Sequence, residues 1–234
     1  MHWFTEIFIA LLAGATLVRS WLNQRQMASV QAHRNRVPPP FADQIDLAAH
    51  QKAADYTVAR GRINRWETLW DALLALALTL GGGIQAVDEI WRKAAWDEVW
   101  HGTAVVLSVM LVVSAAGLPF SIWRTFGVEA RFGFNRVTPG LFVADLLKGL
   151  VLSLALGAPL LFVILWLMEQ AGTIWWIYAW VVWVAFTIFI TWAWPTFIAP
   201  LFNKFSPVQD QTLREHTEAL LQRCAITEYC FTAP

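Results

Sequence analysis

The apolar positions of this chain come in runs of about twenty rather than at amphipathic spacing, and the breaks between the runs hold most of the charge. Five runs can be read, at about 3–22, 66–87, 99–123, 141–168 and 173–194. Each reaches the roughly 20 residues that a ~30 Å hydrocarbon layer requires of a helix. The pattern predicts an all-α, polytopic transmembrane helix bundle with five spans.

Charge placement then predicts an orientation. No Lys or Arg precedes the first apolar core, while Arg19 and Arg25 follow it. A cleaved signal peptide wants the reverse order, so despite the small residues Ala13, Gly14 and Ala15 the first run reads as an uncleaved, N-out anchor. Seven basic residues lie between Asn23 and Arg65, three between runs three and four, and Lys204, Arg214 and Arg223 in the tail; with Arg19 that places fourteen on one side. Only Arg92 and Lys93 lie on the other, beside Asp88, Glu89, Asp97 and Glu98. This bias predicts the N-terminus outside and the C-terminal tail in the cytoplasm. Trp91, Trp96, Trp100, Trp166, Trp175 and Trp176 fall at the predicted outer ends, and Trp21, Trp66, Trp70, Trp123, Trp192 and Trp194 at the inner ends. Those are interfacial belt positions, where the ring is buried and the N–H stays wet.

Composition agrees with this class. The 234 residues are 57% hydrophobic, with 15 Trp and 15 Phe. A formal net charge of zero gives no argument for nucleic acid. Cys224 and Cys230 suggest neither a disulfide framework nor a metal pair.

The inner loop, 41–65, reads as structured. Pro38 to Pro40 impose an extended entry, Asp43 or Asp46 can act as a cap, and a helix is predicted from Leu47 to Arg62 with its end near Gly61. That helix lines a vestibule or packs on the membrane surface, and His50 on it reads as an ordinary surface histidine. Pro119, Pro159 and Pro195 should bend their spans, and Gly81 to Gly83 should loosen the second near its outer end. Pro195 is expected to end the fifth span; TFIAPLF after it, at seven residues, is too short to cross again. Ser206 and Pro207 then start an amphipathic helix from Pro207 to Arg223. Asp145 and Lys148 stand three apart on one helical face at the inner end of the fourth span, a spacing that predicts an ion pair.

Reactive constellations are missing from the 234 residues. His2, His33, His50, His101 and His216 are never three to five apart, so no HExxH helix can present two imidazoles and a Glu on one face. Glu215-His216-Thr217-Glu218 has Leu220 where the second His would stand. No GxSxG and no Walker-type glycine loop occurs.

Two motifs carry more specific information: EARFGFNRVTPGLFVADLLKG from Glu129, and PTFIAPLFNKFSPVQDQTLREHTEALLQR from Pro195. Together with HQKAADYTVAR from His50 they resemble the N-terminal membrane region of the integral-membrane zinc metalloproteases typified by the type-1 CAAX prenyl endopeptidase. The resemblance covers about Trp3 to Arg223. It implies seven membrane helices around a chamber, a zinc ion held by an HExxH helix and a later Glu, and peptide hydrolysis by a metal-activated water. All those ligands lie C-terminal to the PLFNKF region, so none transfers to this chain. Residues 1–206 are then expected to form the N-terminal transmembrane region, and 207–234 the start of a truncated cytoplasmic protease domain that departs from the family pattern at CAITEYCFTAP.

The implied function is the chamber wall of a membrane zinc metalloendopeptidase acting on membrane-associated or prenylated peptides, with the chain inactive alone. The second reading is a non-catalytic membrane scaffold or regulator that binds peptides or partners. Zinc is expected for the full-length enzyme and none in this chain; the partners are the lipid bilayer and a peptide or membrane-protein substrate, not nucleic acid. The uncleaved first span leans to a bacterial inner membrane. No catalytic or metal residue is assigned. The candidate chamber or structural polar residues are Glu129, Arg131, Asn135, Asp145, Lys148, Asn203 and Lys204. Glu129, Arg131, Asn135, Asn203 and Lys204 should meet at the cytoplasmic mouth and tie the third span to the exit of the fifth. Arg131→Ala and Asn203→Ala are therefore expected to lower thermal stability, singly and together; unchanged melting of all three variants would remove the tie.

Overall fold

The computed structural model describes residues 3–41 and 43–202. Those residues are helical with short connections and divide into two compact units, one up to Phe142 and one from Val143 onward. The first unit begins with α1, Trp3–Ala32, and α2, Leu47–Thr79. At 1.5 Å per residue these helices are about 45–50 Å long, so both reach well past a ~30 Å hydrocarbon layer.

Among the described residues, three of this unit's seven buried side chains lie on α2. Ala54, Val58 and Ile63 of α2 are buried, Ile63 almost completely. Gly61 is buried among them, and a Cβ there would come within 2.7 Å of Met27 Sδ on α1. The Asn23 side-chain amide donates to the Gly61 carbonyl at 2.7 Å. Gly61 thus does not end the helix, as its sequence context suggests. It lets two backbones approach in mid-helix, and α2 runs on to Thr79 as one element.

The break in the second span comes later. After Leu80 and Gly81 the chain turns at Gly82, φ 77°, into α3, Gly83–Arg92. A left-handed φ costs a glycine little, and here α2 and α3 meet with a bend of 48°. The predicted run 66–87 is therefore a bent pair. The third run is α4, Glu98–Ile122, extended through a π-helical segment, Trp123–Glu129, into the short α5, Ala130–Phe132. Asp46 does precede α2 as its N-cap, but its carboxylate makes no capping hydrogen bond.

The second unit holds most of α6, Pro139–Gln170, then α7, Trp175–Ala193, a π-helical segment, Trp194–Ile198, and α8, Ala199–Phe202. Here the expectation that Pro195 ends the fifth span fails. Pro195 sits at the start of the π segment, whose wider turn absorbs the ring and the missing N–H, and the helix continues through TFIAPLF. The amphipathic helix expected from Pro207 lies outside the described residues.

Among the described residues, four helical stretches are long and apolar enough to cross a membrane, and five if the bent α2–α3 pair is one span. Their apolar windows are unburied within the chain, as suits surfaces solvated by lipid or by further helices. The first run is longer than expected, ending at Ala32 instead of near Leu22, because the α1–α2 seam continues beyond the apolar stretch. Gly61→Leu should part that seam, costing about 1–3 kcal/mol in the manner of an overpacked core. A clear drop in the melting temperature of the detergent-solubilised chain would register it, while Gly61→Ala, which asks the flexible Met27 side chain and, by less, the Asn23 amide to move, should cost far less.

Candidate functional site

The stretch from Glu129 to Leu141 shows how the sequence builds its own turn. Gly133 takes a left-handed conformation, φ 75°, that ends α5. The Phe134 N–H then donates back to the Glu129 carbonyl at 2.9 Å, and the Asn135 N–H to the same oxygen at 3.2 Å. Asn135 Oδ1 accepts from the Val137 N–H at 2.7 Å, a local Asx turn. Thr138 Oγ1 accepts from the Leu141 N–H at 3.3 Å, with Pro139 in the first turn of α6.

This turn presents two aromatic rings to the start of α2. Tyr56 meets Phe132 and Phe134 edge-on, with centroids 5.6 and 5.0 Å apart. The Lys52 ammonium lies 5.1 Å from the Phe134 centroid, a cation–π contact. HQKAADY and EARFGFN therefore dock on each other, although they lie far apart in the sequence and no periodicity links them.

Polar contacts fasten the same end of the first unit. Arg34, just past α1, grips Asp55 with two parallel bonds of 2.8 Å. His50 Nε2 donates to the His33 carbonyl at 3.0 Å, and the Gln51 amide donates to Asn35 Oδ1 at 3.0 Å. His50 thus pins the α1–α2 connection and is more than a surface histidine. Deeper along the helices, Arg124 of the π segment pairs with Glu67 of α2. The Arg34 guanidinium, by its hydrogen bond first and its charge second, holds the Asp55 carboxyl below its ordinary value, and the charge of Arg131 adds to this.

Of the seven residues proposed from sequence, Glu129 and Asn135 act in the turn just described. Arg131 lies with its guanidinium 5.9 Å from the Phe132 centroid. In the second unit Asp145 and Lys148 form the expected i,i+3 pair at 3.3 Å. Lys148 does more: its ammonium donates to the Leu201 carbonyl at 3.0 Å and stands 5.8 Å from the Phe202 centroid. It thus ties α6 to α8, the last helical turn of the PTFIAPLF segment. Asn203 and Lys204 lie outside the described residues.

At the far end of α3 and α4 is a cluster that the sequence did not reveal. Asp88 accepts from His101 Nε2 at 2.7 Å and from Arg92 Nε at 2.6 Å, beside a cleft also lined by Trp96 and Glu98. Trp91 Nε1 donates to Ser108 Oγ at 2.9 Å one turn away. Asp88 and Arg92 are a legible i,i+4 pair; His101 arrives only because α3 folds back on α4.

Residues 26–204 match the family described as CAAX prenyl protease N-terminal, five membrane helices. The chain belongs to this family. It is 37% identical over 227 residues to the CAAX prenyl protease 1 homolog of Arabidopsis thaliana, an alignment covering 93% of this chain and 52% of that protein. The homolog of Oryza sativa subsp. japonica is 30% identical over the same shares. The crystal structure of S. mikatae Ste24p matches with a TM-score of 0.83 at 25% identity, covering 96% of this chain and 53% of that one. The chain spans about half the length of these relatives. Five membrane helices in the family agree with four spans plus the bent pair. The docked stretches HQKAADY and EARFGFN both lie inside the matched range.

The metalloprotease family makes zinc a question for these residues. Among the described residues no three His, Cys, Asp or Glu side chains converge closely enough to hold a metal ion, so they do not fit that ion. What they can do is set the spacing and tilt of helices.

Because the Asp55 carboxyl is held below its ordinary value of 3.8, its stabilising contribution is complete above that value and is lost as pH falls through the lower folded value. Between pH 7 and pH 3 the wild-type chain should therefore lose more melting temperature than Asp55→Asn. Parallel melting curves at the two pH values, in the same detergent, check it.

Proposed function

We propose that this chain forms the wall of the chamber in a membrane-embedded zinc metalloendopeptidase that acts on membrane-associated or prenylated peptides, and that by itself it does not hydrolyse them. The observation carrying this reading is the docking of Tyr56 and Lys52 on Phe132 and Phe134, which joins two stretches inside the family match through side chains. The named relatives are CAAX prenyl proteases about twice as long as this chain. The metal-bound water and its base are supplied by polypeptide other than these 234 residues, which carry no HExxH.

In this reading the N-terminus lies outside, the tail lies in the cytoplasm, and the membrane is a bacterial inner membrane. The Tyr56 junction and Arg34–Asp55 then belong to the cytoplasmic face, and Asp88–His101 to the outer one. Residues 1–206 are the membrane region and 207–234 the opening of a cytoplasmic domain. Glu129, Arg131, Asn135, Asp145, Lys148, Asn203 and Lys204 stay as proposed structural or chamber polar residues. The second reading, a scaffold that binds peptides without cutting them, has the same residues on its side.

The purified chain should carry no stoichiometric zinc and leave a farnesylated CAAX peptide intact. Co-expressed with the half of the Arabidopsis relative that this chain does not match, it should cleave that peptide in a chelator-sensitive way. Failure of the pair to cleave, with the peptide still photo-crosslinked to the chain, would favour the scaffold; zinc or cleavage in the chain alone would overturn the inactive-alone clause.

A further inference from the structure

An apolar groove of about 630 Å³ runs down the first unit between α2 and the end of α4. Trp66, Trp70, Leu73 and Leu76 line it from α2, with Phe120 and Trp123 opposite. The Trp70 and Phe120 rings stand 6.3 Å apart across it. From Trp66 to Leu76 is ten residues, or about 15 Å along the helix, half of a ~30 Å hydrocarbon layer. The groove is one leaflet deep. Its tryptophans at one end mark the headgroup level of that leaflet.

Charge at its head is one-sided. Arg62 precedes Trp66 by four residues in an unbroken helix, so it lies one turn above the ring on the same face. Arg62 is exposed, and among the described residues no ion-pair partner is found for it. The acids further along α2 do not offset it: Glu67 pairs with Arg124, and Asp71 stands nine residues beyond Arg62. Both acids also lie about 100° or more around the helix from the Arg62–Trp66 stripe.

We propose that this groove holds one acyl chain of an anionic phospholipid, with its phosphate taken by Arg62. An apolar channel one leaflet long, topped by an interfacial indole and an uncompensated guanidinium, has the order of groups that such a lipid presents in reverse. Arginine suits the role because its planar fork can meet two phosphate oxygens. A zwitterionic lipid could fill the channel equally well but would gain less at its head. The site stands independently of any peptidase activity.

Native mass spectrometry of the purified 234-residue chain, with equal amounts of dioleoyl phosphatidylglycerol and dioleoyl phosphatidylcholine in the micelles, tests it. The wild-type chain should retain one phosphatidylglycerol in preference to phosphatidylcholine by about fivefold, the factor corresponding to ~1 kcal/mol per basic residue at a membrane surface. Arg62→Gln should lose that preference while still taking up lipid, and Arg62→Lys should keep most of it. Leu73→Trp, which fills the channel, should retain neither lipid, and Arg36→Gln, an exposed charge off the groove, should behave as wild type. Equal retention of both lipids by the wild-type chain, or an unchanged preference in Arg62→Gln, would overturn the proposal. So would displacement of the adduct by excess inorganic phosphate, which would mean a bare anion site, or no adduct at all, which would mean that polypeptide covers the groove.

Discussion

Lipid offers no hydrogen bonds, and most of the unexpected features of this chain stem from that single constraint. A helix that stops inside the hydrocarbon leaves carbonyls and amides with no partner, so helices here continue through residues that would end them in water. Pro195 is taken up in a π-helical turn, and Pro119 and Pro159 remain inside α4 and α6. The real interruption falls at Gly82, near the end of the apolar stretch, where water can serve the freed groups.

The same constraint explains why the informative side-chain chemistry collects at helix ends. Between spans the driving force is weak, because lipid tails are as apolar as leucine. Beyond the hydrocarbon, aromatic docking and charge pairing regain their ordinary worth, and there the chain places Arg34 on Asp55, Tyr56 on Phe132 and Phe134, and Lys148 on the Leu201 carbonyl. The motifs that mark the family are thus the fittings that hold helices at set positions. Their residues look polar and reactive, but each one with a contact described above is occupied with architecture.

Much of the fold was legible because hydropathy has a long period and needs no partner to be read. Four spans came out within a few residues at one end or both, and the Asp145–Lys148 pair followed from helical spacing alone. What escaped was either local conformation or distant pairing. Gly61 reads as a helix stop when only propensity is considered; its role as a close-approach site depends on Met27, a residue of another helix. Arg124 and Glu67 are 57 residues apart, and His101 reaches Asp88 only through the fold-back of α3. Glu129 enters the turn only through its backbone carbonyl and Asn135 through a bond to a backbone N–H, and sequence does not say which neighbour a polar atom will choose.

The length of the α1–α2 pair has one more consequence. Because its seam lies largely where water can reach, Val58 and Ile63 are buried there by the hydrophobic effect itself, a force absent between the spans. The two helices are thereby locked in height relative to each other before the bilayer has any say. In a thinner membrane they cannot slide past one another to hide their excess length, and must lean together as one rigid strut. The membrane's thickness would then be converted into an angle, carried to whatever packs against the pair.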